Sequence, residues 1–332
     1  CMTPPTRSLR PRDLELQETA HIQLDMTSDL KTPFRAGMIA ILGRPNVGKS
    51  TLLNSLLGTK LAAVSPKPQT SRHRLLGVMH GPDFQLGLLD TPGWPAAPRK
   101  DILASGMMRH AREALDAANL VLLMVEPPRP PGQVERDIVQ EINAADPPLP
   151  TIAVINKVDT VRKSAVLPVI EAYAELHPFR EIIPTSVIVD DGLDVLIERV
   201  VAHLPEAKPL FPEDQLTDRT ERFIVSEIIR EKVFEQFGDE IPYANAVRID
   251  EFVEASAEHA GKDFIAATVF VDRPTQKGIL VGRSGQAMKS IGAAARPIIE
   301  ETLGRSAFLS LWVKVQRDWR RDQQFIRSLE DQ

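Results

Sequence analysis

The chain has 332 residues, of which 43% are hydrophobic, and its formal net charge is −5 at neutral pH. This length predicts about two domains, and the apolar fraction is ample for buried cores. No apolar run approaches the roughly 20 residues that a membrane-spanning helix needs, so a transmembrane segment is not expected. The single cysteine, Cys1, excludes a disulfide framework, and a cytoplasmic location is expected.

The chain divides into four stretches of different composition. Residues 1–33 mix prolines and charges without clear periodicity and without a secretory signal, which predicts a disordered extension. From residue 34 to 204, apolar strands alternate with amphipathic helices, which predicts an α/β domain around a mixed, mostly parallel sheet. The tight joint at 81–83 predicts one antiparallel strand pair. The proline-rich residues 205–217 indicate a linker to a second domain at 218–332.

A glycine-rich loop between the first predicted strand and the first predicted helix has the spacing of a phosphate-binding P-loop. In such a loop, backbone N–H groups converge on the phosphate oxygens, and the helix N-terminus adds a positive partial charge. Lys49 is expected to reach the β- and γ-phosphates, and the Ser50 hydroxyl is expected to bind Mg²⁺, which makes both candidate catalytic residues. The predicted nucleotide contacts are Gly43, Arg44, Pro45, Asn46, Val47, Gly48, Lys49, Ser50 and Thr51.

The apolar strand predicted at 84–89 ends in Asp90, Thr91, Pro92 and Gly93. This motif alone would be an ordinary turn, but after a P-loop it predicts a carboxylate that holds Mg²⁺ through water. The Gly93 N–H can then meet the γ-phosphate, as a candidate catalytic group. Many GTPases have a water-orienting glutamine at the next position, where this chain has Trp94. An indole cannot orient water as an amide does, so slow intrinsic turnover is predicted, with Trp94 as an apolar cover.

A third motif indicates which base is bound. The strand predicted at 151–155 is followed by Asn156, Lys157, Val158 and Asp159. The Asp159 carboxylate can accept two hydrogen bonds from guanine, whereas adenine would leave it unpaired. Sites of this kind reject such analogues by roughly 10⁴-fold, so the predicted nucleotide is GTP rather than ATP. The Lys157 stem is expected to cover the base, and Asn156 is expected to brace the loop.

Two further elements give weaker signals. Gln69–His73 lies in a polar stretch between the first helix and the next strand, where a switch loop would offer a hydroxyl to Mg²⁺. Thr70 is favoured as this metal ligand and catalytic residue, with Ser71 as the alternative. Ser186 and Val187 follow an apolar strand and are candidate GTP contacts, because a backbone N–H here would meet the guanine oxygen.

The net charge hides an uneven distribution in the C-terminal third. Residues 214–272 carry six basic and fourteen acidic residues, whereas 273–327 carry eleven basic and four acidic ones, a net charge of +7. Within this basic patch, Gly278–Val281 is predicted as a strand, followed by a Gly-x-x-Gly turn at Gly282–Gly285 and a helix. Upstream, a helix is predicted at 221–237, which would pack in the core.

The order of strand, Gly-x-x-Gly turn and helix matches the KH arrangement, in which the glycines let an RNA backbone approach. Further strands predicted at 246–253 and 263–271 make the second domain α+β. Trp312 and Trp319 are interpreted as core or edge packing, with base stacking as the alternative. Candidate RNA contacts are Gly282, Arg283, Ser284, Gly285, Lys289, Arg296, Lys314, Arg317 and Arg320, with Arg321 as a further cation.

Together these motifs resemble the Era family of bacterial GTPases, which join a G domain to a type II KH domain. The resemblance spans about residues 34–328 and includes Asn46, Glu240–Tyr243 and Leu311–Val315. It implies binding to the 3′ region of small-subunit (16S) ribosomal RNA and help in maturing that subunit. For some members it also implies peripheral contact with the inner face of the cell membrane. A resemblance to GTPases with a hydrophobic residue at the position of Trp94, together with Asn46, implies a K⁺ ion in place of an arginine finger.

The chain departs from the family pattern at two motif positions, Ser71 and Val187, where threonine and alanine are usual. Nucleotide binding is expected to survive both changes, whereas the switch ligand of Mg²⁺ stays open. In the predicted cycle, GTP orders residues around 60–75 and 94–104 and shifts the KH domain into an RNA-gripping posture.

Two rival interpretations predict different ligands. A P-loop kinase of small metabolites would need neither a guanine selector nor a basic Gly-x-x-Gly domain, and it would bind ATP and GTP equally. A membrane-stress or tRNA-modification GTPase would keep the G domain and change the partner.

Overall fold

The computed structural model of the chain describes residues 33–65, 74–94, 102–237, 245–255, 261–330 and 332. The predictions for the N-terminal extension, for Thr70 and Ser71 and for Glu240–Tyr243 therefore lie outside the described residues.

The first sheet has six strands among the described residues: β1 Arg35–Gly43, β2 Leu75–His80, β3 Phe84–Asp90, β4 Leu120–Val125, β5 Thr151–Ile155 and β6 Glu181–Pro184. Their order is β2-β3-β1-β4-β5-β6, and all neighbours are parallel except β2 and β3. The predicted mixed, mostly parallel sheet with one antiparallel pair is thus confirmed. Every residue of β4 and β5 is buried, as expected for strands covered on both faces.

Five helices cover this sheet within the described part of the chain: α1 Lys49–Leu57, α2 Ile102–Ala117, α3 Gln133–Asn143, α4 Leu167–Leu176 and α5 Leu193–His203. Because side chains alternate along a strand, β1 contributes to two cores. Ile39 and Ile41 pack in the core that also contains residues of α1 and α5. Ala40 and Leu42 pack in the core that contains residues of α2, α3 and α4. The helices therefore form two layers around the sheet.

A second sheet follows, in the order β7-β8-β9, with β7 Asn245–Val253, β8 Asp263–Val271 and β9 Ala307–Val315. β7 and β8 are antiparallel, whereas β8 and β9 are parallel. The helices that accompany this sheet are α6 Glu221–Gln236, α7 Pro274–Val281, α8 Gln286–Leu303 and α9 Gln323–Glu330. The predicted α+β second domain is confirmed. Buried residues of α6 belong to one continuous core with β8, α8 and the α1 face of the first sheet.

One predicted element is wrong. Gly278–Val281, expected as a strand, forms the last part of helix α7. The helix starts with Pro274 in its first turn, where the missing N–H has no partner to lose, and the Arg273 N–H donates to Gln276 Oε1 at 3.0 Å. The Gly-x-x-Gly turn is therefore preceded by a helix. In the described parts of the chain, none of the helices combines the length and apolar character needed to cross a bilayer.

The proline-rich segment at 205–217 is bonded along the first sheet. Near its start, the Ala36 N–H donates to Pro205 O at 3.3 Å. At its centre, Gln85 Oε1 accepts the N–H groups of Leu210 and Phe211 at 2.6 and 2.9 Å. At its end, the Val78 N–H donates to Leu216 O at 2.8 Å. These contacts fix the route of the chain between the two sheets.

Candidate nucleotide site and nucleic-acid interface

The P-loop connects the end of β1 to the start of α1 through two glycines with positive φ angles. Gly43 and Gly48 have φ angles of 147° and 105°, which L side chains rarely adopt. A Cβ atom on Gly43 would lie 2.3 Å from the Met124 carbonyl oxygen, and one on Gly48 would lie 2.3 Å from Asn156 Nδ2. Only glycine fits at either position, because the loop passes so close to β4 and to the loop after β5.

Lys49 lies buried within this loop. Its ammonium donates to the carbonyl oxygens of Gly43 and Arg44 at 3.3 and 2.9 Å. Burial lowers the pKa of Lys49 to about 8, although Asp90 raises it in part. A buried ammonium that faces neutral carbonyl groups is placed to bind phosphate oxygens in their stead.

Asp90 and Ser50 form a donor set that suits a small divalent cation. The Ser50 hydroxyl donates to Asp90 Oδ2 at 2.6 Å. Asp90 is buried, and its Oδ1 has no hydrogen-bond partner among the residues that the structure describes. Burial raises the pKa of this carboxyl to about 6, while Lys49 and the Ser50 hydrogen bond lower it. A buried carboxylate oxygen without a donor, next to a hydroxyl, matches the oxygen ligands that Mg²⁺ prefers.

The turn after β3 packs directly on the P-loop. A Cβ atom on Gly93 would lie 2.6 Å from the backbone nitrogen and Cα of Pro45. The backbone N–H of the next residue, Trp94, donates to the Gly43 carbonyl oxygen at 3.0 Å. The Trp94 indole is buried in the core on the α2 and α3 side of the sheet. Gly93 is thus held against the phosphate-binding loop, and the indole packs in the interior.

Asn156 joins three parts of the site. Its Nδ2 donates to Val47 O at 2.8 Å, and its Oδ1 accepts the Val187 N–H at 3.1 Å. Lys157 Nζ donates to Asn46 O at 2.6 Å and to Glu126 Oε2 at 2.7 Å. The loop after β5 is therefore tied to the P-loop by two side chains.

The Asp159 carboxylate is exposed, and the Ser186 hydroxyl donates to one of its oxygens. The backbone N–H groups of Ser186 and Val187 both donate within the protein, to Asp191 O at 2.9 Å and to Asn156 Oδ1. In this structure, neither N–H is available to a guanine oxygen. The structure thus places the Ser186 side chain against Asp159, whereas the backbone N–H groups expected to meet guanine donate to other protein oxygens.

Two acidic residues that bond to the candidate nucleotide site lie outside its motifs and were not predicted. Arg44 Nε and Nη2 donate to the two carboxylate oxygens of Glu135 in α3, at 2.5 and 2.8 Å. The same carboxylate accepts the Gly132 N–H at 2.8 Å. Burial alone would raise the pKa of Glu135, but these hydrogen bonds lower it. Glu126, the partner of Lys157, is the second of these residues. Glu135 stands at position N3 of α3, where a glutamate commonly caps the helix, but that position does not indicate a contact with Arg44.

The Gly-x-x-Gly turn joins α7 to α8. Gly282, Ser284 and Gly285 have φ angles of 68°, 50° and 77°. A Cβ atom on Gly282 would lie 2.9 Å from the Cβ of Ala287, whereas one on Gly285 would meet nothing within 4 Å. Gly282 thus allows close packing within the turn, and Gly285 leaves an open approach from outside.

A groove of about 580 Å³ lies beside this turn, between α7, α8 and β9. The side chains along it include Lys277, Lys289, Arg296, Phe308, Leu311 and Trp312. The three cations come from the two helices, whereas the three apolar side chains come from β9. Trp312 is 64% exposed and Phe308 58% exposed, which is unusual for large apolar side chains. The groove therefore has one basic side and one aromatic side.

The remaining predicted RNA contacts are spread more widely. Gly285, Lys289 and Arg296 line the groove, but Arg283, Lys314 and Arg317 are exposed outside its lining. Arg320 donates to Asp272 at 3.1 Å and so already has an acidic partner. Trp319 is buried, in line with the core interpretation, whereas Trp312 is exposed.

The fold and these two sites define a P-loop GTPase of the G-domain class that carries a second, KH-type domain. A family model described as a 50S ribosome-binding GTPase matches residues 38–157, and a KH domain model matches residues 240–320. The GTPase Era of Geobacter metallireducens is 46% identical over 297 residues, which cover 90% of this chain and 98% of the relative.

Two solved structures agree with this assignment. A crystal structure of Era in complex with MgGDPNP and nucleotides 1506–1542 of 16S ribosomal RNA has a TM-score of 0.84, at 39% identity over 89% of this chain and 98% of that one. A variant of Aquifex aeolicus Era bound to GDP·AlF4⁻ has a TM-score of 0.85, at 39% identity over 89% of this chain and 99% of that one. The chain belongs to the GTPase Era family.

Proposed function

We propose that this GTPase binds the 3′ region of 16S ribosomal RNA in the groove of its KH domain and assists assembly of the small ribosomal subunit. The observation that carries the proposal is the groove itself, with cations on one side and exposed aromatic rings on the other. Single-stranded RNA offers phosphates to the first and unstacked bases to the second. A structurally similar Era holds nucleotides 1506–1542 of that RNA, which supports the choice of substrate.

Within the groove, Lys289 and Arg296 contact phosphates, while Trp312 stacks on a base. The backbone of the turn at 282–285 lies against the sugar-phosphate chain, because Gly285 presents no side chain there. Arg283, Lys314, Arg317 and Arg320 give longer-range attraction to phosphates. The proposed domain bounds are 34–204 for the G domain, 205–217 for the linker and 218–332 for the KH domain.

In the nucleotide site, Lys49 neutralises the β- and γ-phosphates, and Gly93 donates its N–H to the γ-phosphate. Ser50 and Asp90 would hold Mg²⁺, with Asp90 acting through water, and a hydroxyl of the switch segment, Thr70 or else Ser71, would complete the set. Bound there, Mg²⁺ would neutralise charge on the triphosphate. Asp159 selects guanine, Lys157 covers the base, and Asn156 keeps their loop against the P-loop.

A potassium ion near Asn46 is a separate part of the proposal. Asn46 has a φ angle of 67° within the P-loop, and its carbonyl accepts Lys157. A monovalent cation there would neutralise developing phosphoryl charge in place of an arginine finger. Turnover in potassium buffer should exceed turnover in sodium buffer of equal ionic strength, and equal rates would remove the ion from the mechanism.

The RNA proposal is tested by anisotropy with a labelled RNA of the 1506–1542 sequence and a scrambled RNA of the same length. The chain should prefer the native sequence, and Trp312→Ala should weaken that binding by about tenfold. Leu167→Ala, which truncates a large apolar side chain of α4 that is as exposed as Trp312 and lies outside the groove lining, is the matched control and should have no such effect. Equal binding of both RNAs would contradict the proposal.

Crosslinking in cells followed by sequencing of the attached RNA identifies the partner directly. Recovery of the 16S 3′ region supports subunit assembly, whereas recovery of tRNA would favour a tRNA-modification GTPase. A cytoplasmic location stays a prediction from the cysteine content, and peripheral membrane contact stays a prediction from the family resemblance. Flotation with vesicles of anionic phospholipid tests the membrane contact.

A further inference from the structure

Helix α6 of the second domain places a buried carboxylate against the loop that follows the P-loop helix. Glu231 is 1% exposed. Its Oε1 accepts Lys60 Nζ at 2.5 Å, and its Oε2 accepts the Val64 N–H at 2.7 Å. Lys232 donates to the same Oε1 at 3.1 Å. Leaving a side chain this deeply buried without hydrogen-bond donors is costly, so the position of Glu231 and the positions of its donors are linked.

The same loop is bonded to the P-loop helix on its other side. Asn54 in α1 accepts the N–H groups of Leu61 and Ala62 at 3.0 and 2.9 Å through its Oδ1. Its Nδ2 donates to Ala62 O at 2.8 Å. Residues 58–65 therefore lie between α1, which begins at Lys49 and Ser50, and α6. Asn54 joins α1 to residues 61 and 62 by hydrogen bonds, and Glu231 joins residues 60 and 64 to α6.

A second contact ties the segment before α6 to the start of β2. Arg219 Nη2 donates to Arg74 O at 2.5 Å, and Thr217 Oγ1 donates to Leu76 O at 2.6 Å. The Arg219 guanidinium also lies 4.8 Å from the ring centroid of Phe223 in the first turn of α6. Residues 217–231 therefore bond to the N-terminal domain at two places, the Val64 N–H and the Arg74 carbonyl oxygen.

We infer that Glu231 is a positioning residue of the GTPase, which holds residues 60–64 in the place that the triphosphate state requires and links them to α6. In GTPases, the segments after the P-loop helix distinguish triphosphate from diphosphate through the γ-phosphate. A residue that positions such a segment matters for GTP and not for GDP. The inference rests on the GTPase activity alone and does not depend on the RNA partner.

The test is the affinity of the full chain for fluorescent GDPNP and fluorescent GDP after Glu231→Gln. This change keeps the shape and leaves one oxygen for the Val64 N–H, but it removes the charge opposite Lys60. The dissociation constant for GDPNP should rise by about tenfold, whereas that for GDP should change by less than about twofold. Glu235→Gln is the matched control, because Glu235 lies one turn further along α6, also bonds Lys232, and is 42% exposed. It should alter neither affinity.

A merely structural ion pair would behave differently. Equal weakening of GDP and GDPNP, or no change in either, would overturn the inference. Lys60→Met removes the charge from the other partner while keeping the aliphatic stem, so it provides the same comparison if Glu231→Gln unfolds. The effects of the two substitutions on GDPNP affinity should be less than additive in the double variant, because both remove one interaction. Additive effects would also contradict a shared role.

Discussion

At the scale of single residues, Gly93 shows how closely the turn after β3 packs against the P-loop. A Cβ atom there would lie 2.6 Å from the backbone of Pro45, a non-bonded distance that Cβ atoms essentially never show. Any side chain must therefore push the turn after β3 away from the P-loop. The N–H group proposed for the γ-phosphate moves with that turn.

Gly93→Ala should therefore lower kcat for GTP hydrolysis by about 100-fold, because a displacement of about 1 Å at a reacting centre has an effect of that size. GDP affinity should change far less, since GDP lacks the phosphate that this turn meets. Single-turnover hydrolysis and fluorescent GDP titration measure the two quantities. Gly106→Ala in α2 is the control, because a Cβ atom there would meet nothing within 4 Å. A Gly93→Ala enzyme with normal kcat would show that the turn is not held in this way.

Where a motif fixes their spacing, the residues of the candidate nucleotide site could be named from the sequence, and their roles toward a nucleotide stay predictions. In the structure Lys49 is buried, and Asn156 hydrogen-bonds to both Val47 and Val187. Glu135 and Glu231 were not predictable, because their partners lie 91 and 171 positions away in the sequence. Acidic residues on helices are usually solvated, and their pairing depends on how those helices pack.

At the scale of elements, helix α7 is a case in which the hydrophobic pattern of the sequence does not distinguish a helix from a strand. Four apolar or small residues in a row are too few to separate a buried strand from a helix. The deciding signals are Pro274 and the Gln276 side chain that accepts the Arg273 N–H, both at the opposite end of the helix. The alternation of strands and helices expected over residues 34–204 is confirmed. There the amphipathic helices are long enough to show the helical period, and buried strands such as β4 and β5 are short apolar runs between helices.

The helical assignment makes Leu280 a core residue and leaves Ile279 exposed. Leu280 is fully buried in the main core, whereas Ile279 is 54% exposed. Leu280→Ala should lower the free energy of unfolding by about 3 kcal/mol, which is typical of buried leucines. Ile279→Ala should change it by less than about 0.5 kcal/mol. Urea denaturation compares them, and similar losses at both positions would contradict this packing.

At the scale of the whole molecule, the core under α6 runs without a break from the first sheet to the second. Movements of the G domain can therefore reach the KH domain through packed side chains as well as through Glu231. Allosteric coupling requires such an element, together with a ligand that prefers one of its arrangements.

The chain should bind the 3′ RNA about tenfold more tightly with GDPNP than with GDP, within the usual range for coupled sites. Anisotropy titrations in saturating nucleotide measure this ratio. By thermodynamic reciprocity, the RNA should raise GDPNP affinity by the same factor. Equal RNA affinities in the two nucleotide states would mean that the two domains act independently.

The hydrogen bonds between residues 216–217 and strand β2 also affect where the chain can be truncated to give an isolated G domain. β2 is the terminal strand of its sheet, and Leu216 and Thr217 cover part of its free hydrogen-bonding edge. Uncovered strand edges recruit other chains and promote self-association. A fragment that stops at residue 204 should therefore form oligomers at concentrations where a fragment ending at 220 stays monomeric, as gel filtration with light scattering would reveal. The segment that connects the domains would thus also keep the edge of β2 from pairing with a second G domain.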